Sequence, residues 1–139
     1  MIELIYLTKH FNKTIAVDDL NMKIESGKIT AFLGPNGAGK TTTIKMMTGL
    51  LRPTQGQIKI NGKDINEEGL HYKRMMSYIP DFPFLYERLT GREYLEFVAG
   101  VNELSREETS DRIQELVNTF MLEDRVNSMI KTYSHGMKQ

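Results

Sequence analysis

With 139 residues, 40% of them hydrophobic and 26% charged, the chain is long enough for one domain with a sizeable core. Its 18 basic residues balance 18 acidic ones, so it lacks the basic stripe expected of a general nucleic-acid binder. Cysteine is absent, which excludes a disulfide scaffold and a thiolate metal site and suits a reducing cytoplasm. No apolar run approaches the roughly 18–20 residues that span a bilayer, and no leader pattern opens the sequence, so a membrane link is expected through a partner.

The first part reads as strands. Ile2, Leu4 and Tyr6 alternate with their neighbours, and Leu20, Met22 and Ile24 alternate with Asn21, Lys23 and Glu25, the pattern of antiparallel strands with one wet face. Ser26-Gly27 supplies a turn. The run Ile29-Thr30-Ala31-Phe32-Leu33 is nearly all apolar and is expected to form a strand buried on both faces. A helix is expected from Lys40, with Ile44, Met47 and Leu51 at helical spacing, until Pro53 and Gly56 break it. Residues 57–65 read as a hairpin, because Asn61-Gly62 between alternating apolar residues favours a tight primed turn.

The second part reads as helical. Thr90 with Glu93, and Ser105 with Glu108, are capping-box pairs. Tyr94, Leu95, Val98 and Val101 mark the apolar face of the first helix; Ile113, Leu116, Val117, Phe120 and Met121 mark that of the second. The nine methionines, including Met46-Met47 and Met75-Met76, read as core filler. His10, His71 and His135 are scattered without metal-ligand spacing.

Between strand and helix lies GPNGAGKT, residues 34–41, which matches G-x-x-x-x-G-K-[ST] at every fixed position. Glycines open backbone conformations that turn successive N–H groups toward phosphate oxygens, and the following helix adds its positive N-terminal end. Lys40 can reach the β- and γ-phosphates, and the Thr41 hydroxyl can ligate Mg2+. A nucleotide-phosphate site is therefore expected. Guanine specificity would call for Asn-Lys-x-Asp, whereas Asn12-Lys13 precedes the loop and has Ile15 in the Asp place. Strand-like sequence ahead of the loop also argues against a small-molecule kinase.

The stretch HFNKTIAVDDLNMKIESGKITAFLGPNGAGKTTTIKMMTGLLRPTQGQIKINGKDI resembles the opening of an ATP-binding-cassette (ABC) ATPase domain. YSHGM, near the other end, is similar to that family's signature motif, usually Leu-Ser-Gly-Gly-Gln, and its separation from the phosphate loop is similar too. The resemblance implies an α/β fold, a P-loop NTPase with a RecA-like core, an N-terminal antiparallel β subdomain and an α-helical subdomain. The β subdomain and phosphate-loop core would take 1–82, and the helical subdomain 83–139.

Residue by residue, the resemblance implies that Phe11 stacks on adenine, the alternative being a plain core side chain, and that Val17 joins it in binding the nucleotide. Gly34, Asn36, Gly37, Ala38, Gly39, Lys40, Thr41 and Thr42 would hold the phosphates of ATP, with Lys40 catalytic and Thr41 on Mg2+. SYIPDFPFLYERLT resembles the segment in which the family usually carries Gln, and Asp81 stands in that place. Asp81 has two readings: a Mg2+ contact of catalytic relevance, or a turn residue before Phe82-Pro83. LYERLTGREYLEF is similar to the bacterial exporter branch. In the signature, Ser134 and Gly136 match, while His135 replaces the first Gly and Met137 replaces Gln; these residues would face ATP bound by an opposite subunit.

The implied protein is the ATP-binding subunit of a membrane transporter, working as a homo- or heterodimer with a transmembrane permease on the cytoplasmic face. Nucleic acid is not an expected partner. A soluble ABC ATPase without a membrane partner and a non-catalytic truncated fragment are the alternatives. No second apolar strand ending in Asp-Glu follows Leu33, and the switch His is not found, so the sequence is expected to be the N-terminal part of such a domain, ending before the second core strand. Alone, it is expected to bind ATP weakly, to hydrolyse it negligibly and to associate.

Overall fold

The computed structural model describes residues 1–67 and 71–139, with the side chains of His71 and Arg74 also outside the description. The chain divides into two compact units, Met1–Tyr78 and Ile79–Gln139, where the sequence suggested a joint at 82/83.

In the first unit, β1 (Ile2–Phe11), β2 (Thr14–Ile24), β3 (Gln55–Ile60) and β4 (Lys63–Asp64) form one antiparallel sheet in the order β2-β1-β3-β4. Leu4, Leu7, Ile58 and Ile60 line its buried face with Val17, Met46, Ile65 and Tyr72. The alternation expected through Tyr6 fails there. Tyr6 takes φ 48° and is exposed, and Leu7, fully buried, takes the inward place. Asp19 on the facing strand also has positive φ, at 44°. Side chains replace the broken ladder: Tyr6 N–H donates to Asn21 Oδ1 at 2.9 Å, and Asp19 N–H to Thr8 Oγ1 at 3.0 Å. This is the signature of a β-bulge, which re-aims every later side chain. Gly56 belongs to β3 opposite it, at φ 87°, where a Cβ would lie 2.3 Å from the Tyr6 carbonyl oxygen. It is a strand residue fitted to the bulge, not a helix breaker.

Helix α1 (Lys40–Met47) is shorter than its apolar spacing suggested, stopping at Thr48 and Gly49 rather than at Pro53. Gly49, at φ 68°, and Leu51 return N–H groups to the carbonyls of Met46 and Lys45 at 3.0 Å each, the ordinary left-handed helix end. Its buried residues are Thr43 and Met46, with Met47 and Leu51 packed at the margin. The β3–β4 hairpin turns on Asn61 (φ 50°) and Gly62 (φ 83°), the primed geometry expected of that dipeptide.

The strand expected at residues 29–33 does not form. Ile29 and Leu33 are almost wholly exposed. A strand buried on both faces needs hydrogen-bonded neighbours along its edges, and no described residue runs beside this one.

In the second unit, α2 (Gly91–Val101) and α3 (Arg106–Thr119) pack through Leu95 against Ile113, Val117, Val126 and Leu122. Both capping boxes are made. Thr90 N–H donates to the Glu93 carboxylate at 2.7 Å and Glu93 N–H to Thr90 Oγ1 at 3.2 Å; Ser105 and Glu108 repeat this at 2.9 and 3.2 Å. The α2 face is turned from the one expected: Leu95 and Ala99 face inward, while Val98 and Val101 are exposed. Leu95 and Ala99 are one turn apart, so a single turn of contact sets the rotation. Phe120 and Met121 are also exposed, because α3 ends at Thr119 and Met121 takes φ 53°. Of the methionines, Met46 is core filler, while Met75, Met121 and Met129 are exposed.

Residues 87–92 and 126–131 tie the unit together. Lys131 and Ile130 donate to the carbonyls of Glu87 and Leu89 at 3.1 and 2.9 Å, and Arg92 donates to that of Val126 at 2.8 Å. Gly91 is buried under the Tyr133 hydroxyl, which donates to the Arg125 carbonyl at 2.8 Å.

Candidate phosphate site and signature turn

The phosphate loop occupies residues 34–39 and feeds straight into α1. Gly37 and Gly39 both have φ 83°, a conformation that residues with a Cβ adopt only at a cost. Gly39 lies so close to β2 that a Cβ would stand 2.4 Å from the Ala16 carbonyl oxygen and 3.0 Å from Val17 Cγ2. This contact brings two of the expected nucleotide residues, Val17 and Gly39, together. Lys40 curls back over the loop, and its ammonium donates to the carbonyls of Gly34 and Pro35 at 2.7 and 2.8 Å. Two carbonyls at the start of the loop therefore hold a cation beside it. No acidic side chain stands in the first turn of α1 to oppose a bound anion. Asn36, Gly37, Ala38 and Thr41 are exposed, and Thr42 is half-buried. Left-handed glycines, an open helix start and a positive charge together fit a polyphosphate.

Phe11 closes β1 and is 46% exposed, so it is not a core side chain. Lys9 Nζ sits 5.2 Å from its ring centroid and donates to the Arg52 carbonyl at 2.8 Å. Lys9 was not legible as a site residue, because nothing in the sequence pairs it with Phe11 except the period-2 spacing on one strand face.

In the second unit, Ser134 caps α4 (His135–Lys138) by accepting the Met137 N–H at 3.3 Å. Ser134, His135 and Gly136 are exposed, and a Cβ on Gly136 would meet nothing within 4 Å. Burial pushes the neighbouring Tyr133 phenol above its ordinary 10, partly opposed by the Gly91 backbone. Asp81 is exposed, and its carbonyl accepts from Gln139 Nε2 at 3.5 Å. The ring of Phe82 meets that of His135 with centroids 5.3 Å apart, and Glu87 Oε1 pairs with Lys138 Nζ at 2.6 Å. Nothing in the residue spacing signals that Phe82 or Glu87 would touch this turn. Among the described residues no three acidic or imidazole side chains converge as a metal cage. Mg2+ on a nucleotide needs only one or two protein oxygens, the rest coming from phosphate and water, and the Thr41 hydroxyl has that chemistry.

The family described as "ABC transporter" matches residues 17–139. An uncharacterized ABC transporter ATP-binding protein of Bacillus subtilis, YhcH, is 38% identical over 143 residues, covering 100% of this chain and 45% of that protein. The daunorubicin/doxorubicin resistance ATP-binding protein DrrA of Streptomyces peucetius is 38% identical over 133 residues, covering 96% and 40%. A solved ATP-binding subunit of an ABC transporter superposes with a TM-score of 0.83 at 37% identity, covering 99% of this chain and 57% of that one. The chain thus spans about half the length of the bacterial relatives it matches. No helix among the described residues is long and apolar enough to cross a membrane.

Proposed function

The chain belongs to the ABC transporter family, and on that premise we propose that it supplies the ATP-binding subunit of a membrane transporter, probing ATP with two separate surfaces. The observation that carries the proposal is the loop at residues 34–41, whose left-handed glycines and carbonyl-held ammonium suit the phosphates of MgATP. Lys40 serves the β- and γ-phosphates and the Thr41 hydroxyl serves Mg2+. Asn36, Gly37, Ala38, Gly39 and Thr42 surround the phosphates, and Phe11 and Val17 serve the base side. Phe11, half-exposed at one strand end with Lys9 over one ring face, offers its other face for stacking. Asp81, exposed and acidic, is a further candidate for Mg2+.

Ser134, with the N–H groups of His135 and Gly136, faces the nucleotide of a second ATP-binding subunit; the bare surface at Gly136 supports close approach from outside. In the complete domain, ATP hydrolysis and pairing of two such subunits drive a transmembrane permease from the cytoplasmic face. The direction is export, a reading supported by a relative named for peptide export, the ATP-binding protein SkfE of Bacillus subtilis, 35% identical over 133 residues.

The test is nucleotide binding by Lys40→Ala. Loss of a charged hydrogen-bonding group at the phosphates is worth about 1.5–3 kcal/mol, so ATP affinity should fall roughly ten- to a hundredfold. Undiminished ATP binding by this variant would sink the reading.

A further inference from the structure

Helix α4 opens at Ser134, whose cap bond from the Met137 N–H is long at 3.3 Å. A cap this long holds the opening turn weakly, so its position answers to contacts from outside it. The support here comes from the chain segment 81–87, by three side-chain contacts. His135, standing where the family pattern has glycine, lays its ring against Phe82 at 5.3 Å between centroids and 54° between planes. Lys138 bonds Glu87 at 2.6 Å with its side chain only 21% accessible, and the Gln139 amide reaches the Asp81 carbonyl. Glu87 is itself anchored, since its carbonyl accepts the Lys131 N–H at 3.1 Å. The contacts fall on His135, which opens α4, and on Lys138, one turn later. Between them the N–H groups of His135 and Gly136 have no partner among the described residues.

We propose that Phe82 and Glu87 are positioning residues for the signature turn, holding Ser134 and the free amides of His135 and Gly136 in the arrangement that a phosphate oxygen requires. His135 is therefore an anchor on the segment around Asp81 rather than a solvated substitute for glycine. The proposal rests on the reading of Ser134 as a phosphate contact given above.

The experiment is steady-state ATP hydrolysis by the full protein with its membrane partner. Glu87→Lys and Lys138→Glu should each lower kcat about fivefold, the upper range for an exposed pair, with KM for ATP unchanged. The double swap Glu87→Lys/Lys138→Glu should restore kcat to within about twofold, a rescue that general destabilisation would not give. Phe82→Leu should lower kcat in the same sense, and Glu87→Gln replaces the reversal should that variant not fold. Unchanged kcat in the single variants while Ser134→Ala lowers it, or failure of the swap to restore, overturns the proposal. If Ser134→Ala itself leaves kcat unchanged, the reading of the signature turn has failed and the positioning role falls with it.

Discussion

Gly37 and Gly39 share φ 83° but not their surroundings, and that difference can be turned into numbers. Placing any Cβ residue in the left-handed region costs about 1–2 kcal/mol, and Gly37→Ala should lose that and no more, because nothing lies within 4 Å of its added methyl. At Gly39 the methyl would stand 2.4 Å from the Ala16 carbonyl oxygen, where ordinary contact begins at 3.4 Å. Ala16 lies within β2, between residues paired to β1, so its carbonyl has little freedom to retreat and the loop must move instead. Overpacking of this kind adds about 1–3 kcal/mol. The excess over Gly37→Ala corresponds to a further loss of roughly 5- to 150-fold in nucleotide affinity. Gly34→Ala, whose methyl would touch Ala38 Cβ at 3.4 Å, is the mild control. Titration of the three variants with a fluorescent ATP analogue, alongside circular dichroism to confirm folding, gives the comparison. Gly39→Ala binding as well as Gly37→Ala would refute the claim that close approach to β2 sets the loop conformation.

Other consequences are checked on the helical unit. Gly91→Ala would place a methyl 2.2 Å from the Tyr133 hydroxyl and 3.1 Å from the Val126 carbonyl, and should destabilise by about 1–3 kcal/mol in urea unfolding. Combined with Tyr133→Phe, which removes the hydroxyl, its cost should shrink; strict additivity would contradict the contact. Glu93 is held below its ordinary 4.5 chiefly by the Thr90 N–H, and Glu108 chiefly by the Ser105 hydroxyl contact. A lowered folded-state pKa stabilises above the unfolded value and is lost as pH falls through the folded one. The first turns of α2 and α3 should therefore loosen below pH 4.5, seen as exchange broadening of the Glu93 and Glu108 amides, and Glu93→Gln should flatten the response in α2.

Signals that are local in the chain were the legible ones. Thr90/Glu93 and Ser105/Glu108 form their boxes within four residues, and Asn61-Gly62 sets its own turn, so sequence spacing alone specifies them. The phosphate-loop motif is of the same kind, since its glycine spacing and the Lys40 return lie within residues 34–40, whereas the approach of Gly39 to β2 is a distant contact. What failed depended on distant partners. The reversal at Tyr6 answers to Asn21 and Gly56, and no alternation rule locates a bulge from one strand. The expected strand at 29–33 had the right composition but no neighbour to pair with among the described residues. The His135 contact with Phe82 and the Glu87–Lys138 pair join residues far apart in sequence, so the signature spacing that placed His135 toward an opposite subunit gave no hint of them.

The unpaired run from Ile29 to Leu33 also bears on how the polypeptide behaves at high concentration. Five uncharged residues without proline, three of them β-prone (Ile29, Thr30 and Phe32) and all unpaired among the described residues, are a template for cross-β association between copies. The only charge beside them is Lys28, and Glu25 is already paired with it. That leaves weak electrostatic protection, further thinned by salt. Association between copies through this run is therefore expected to rise with concentration and with salt.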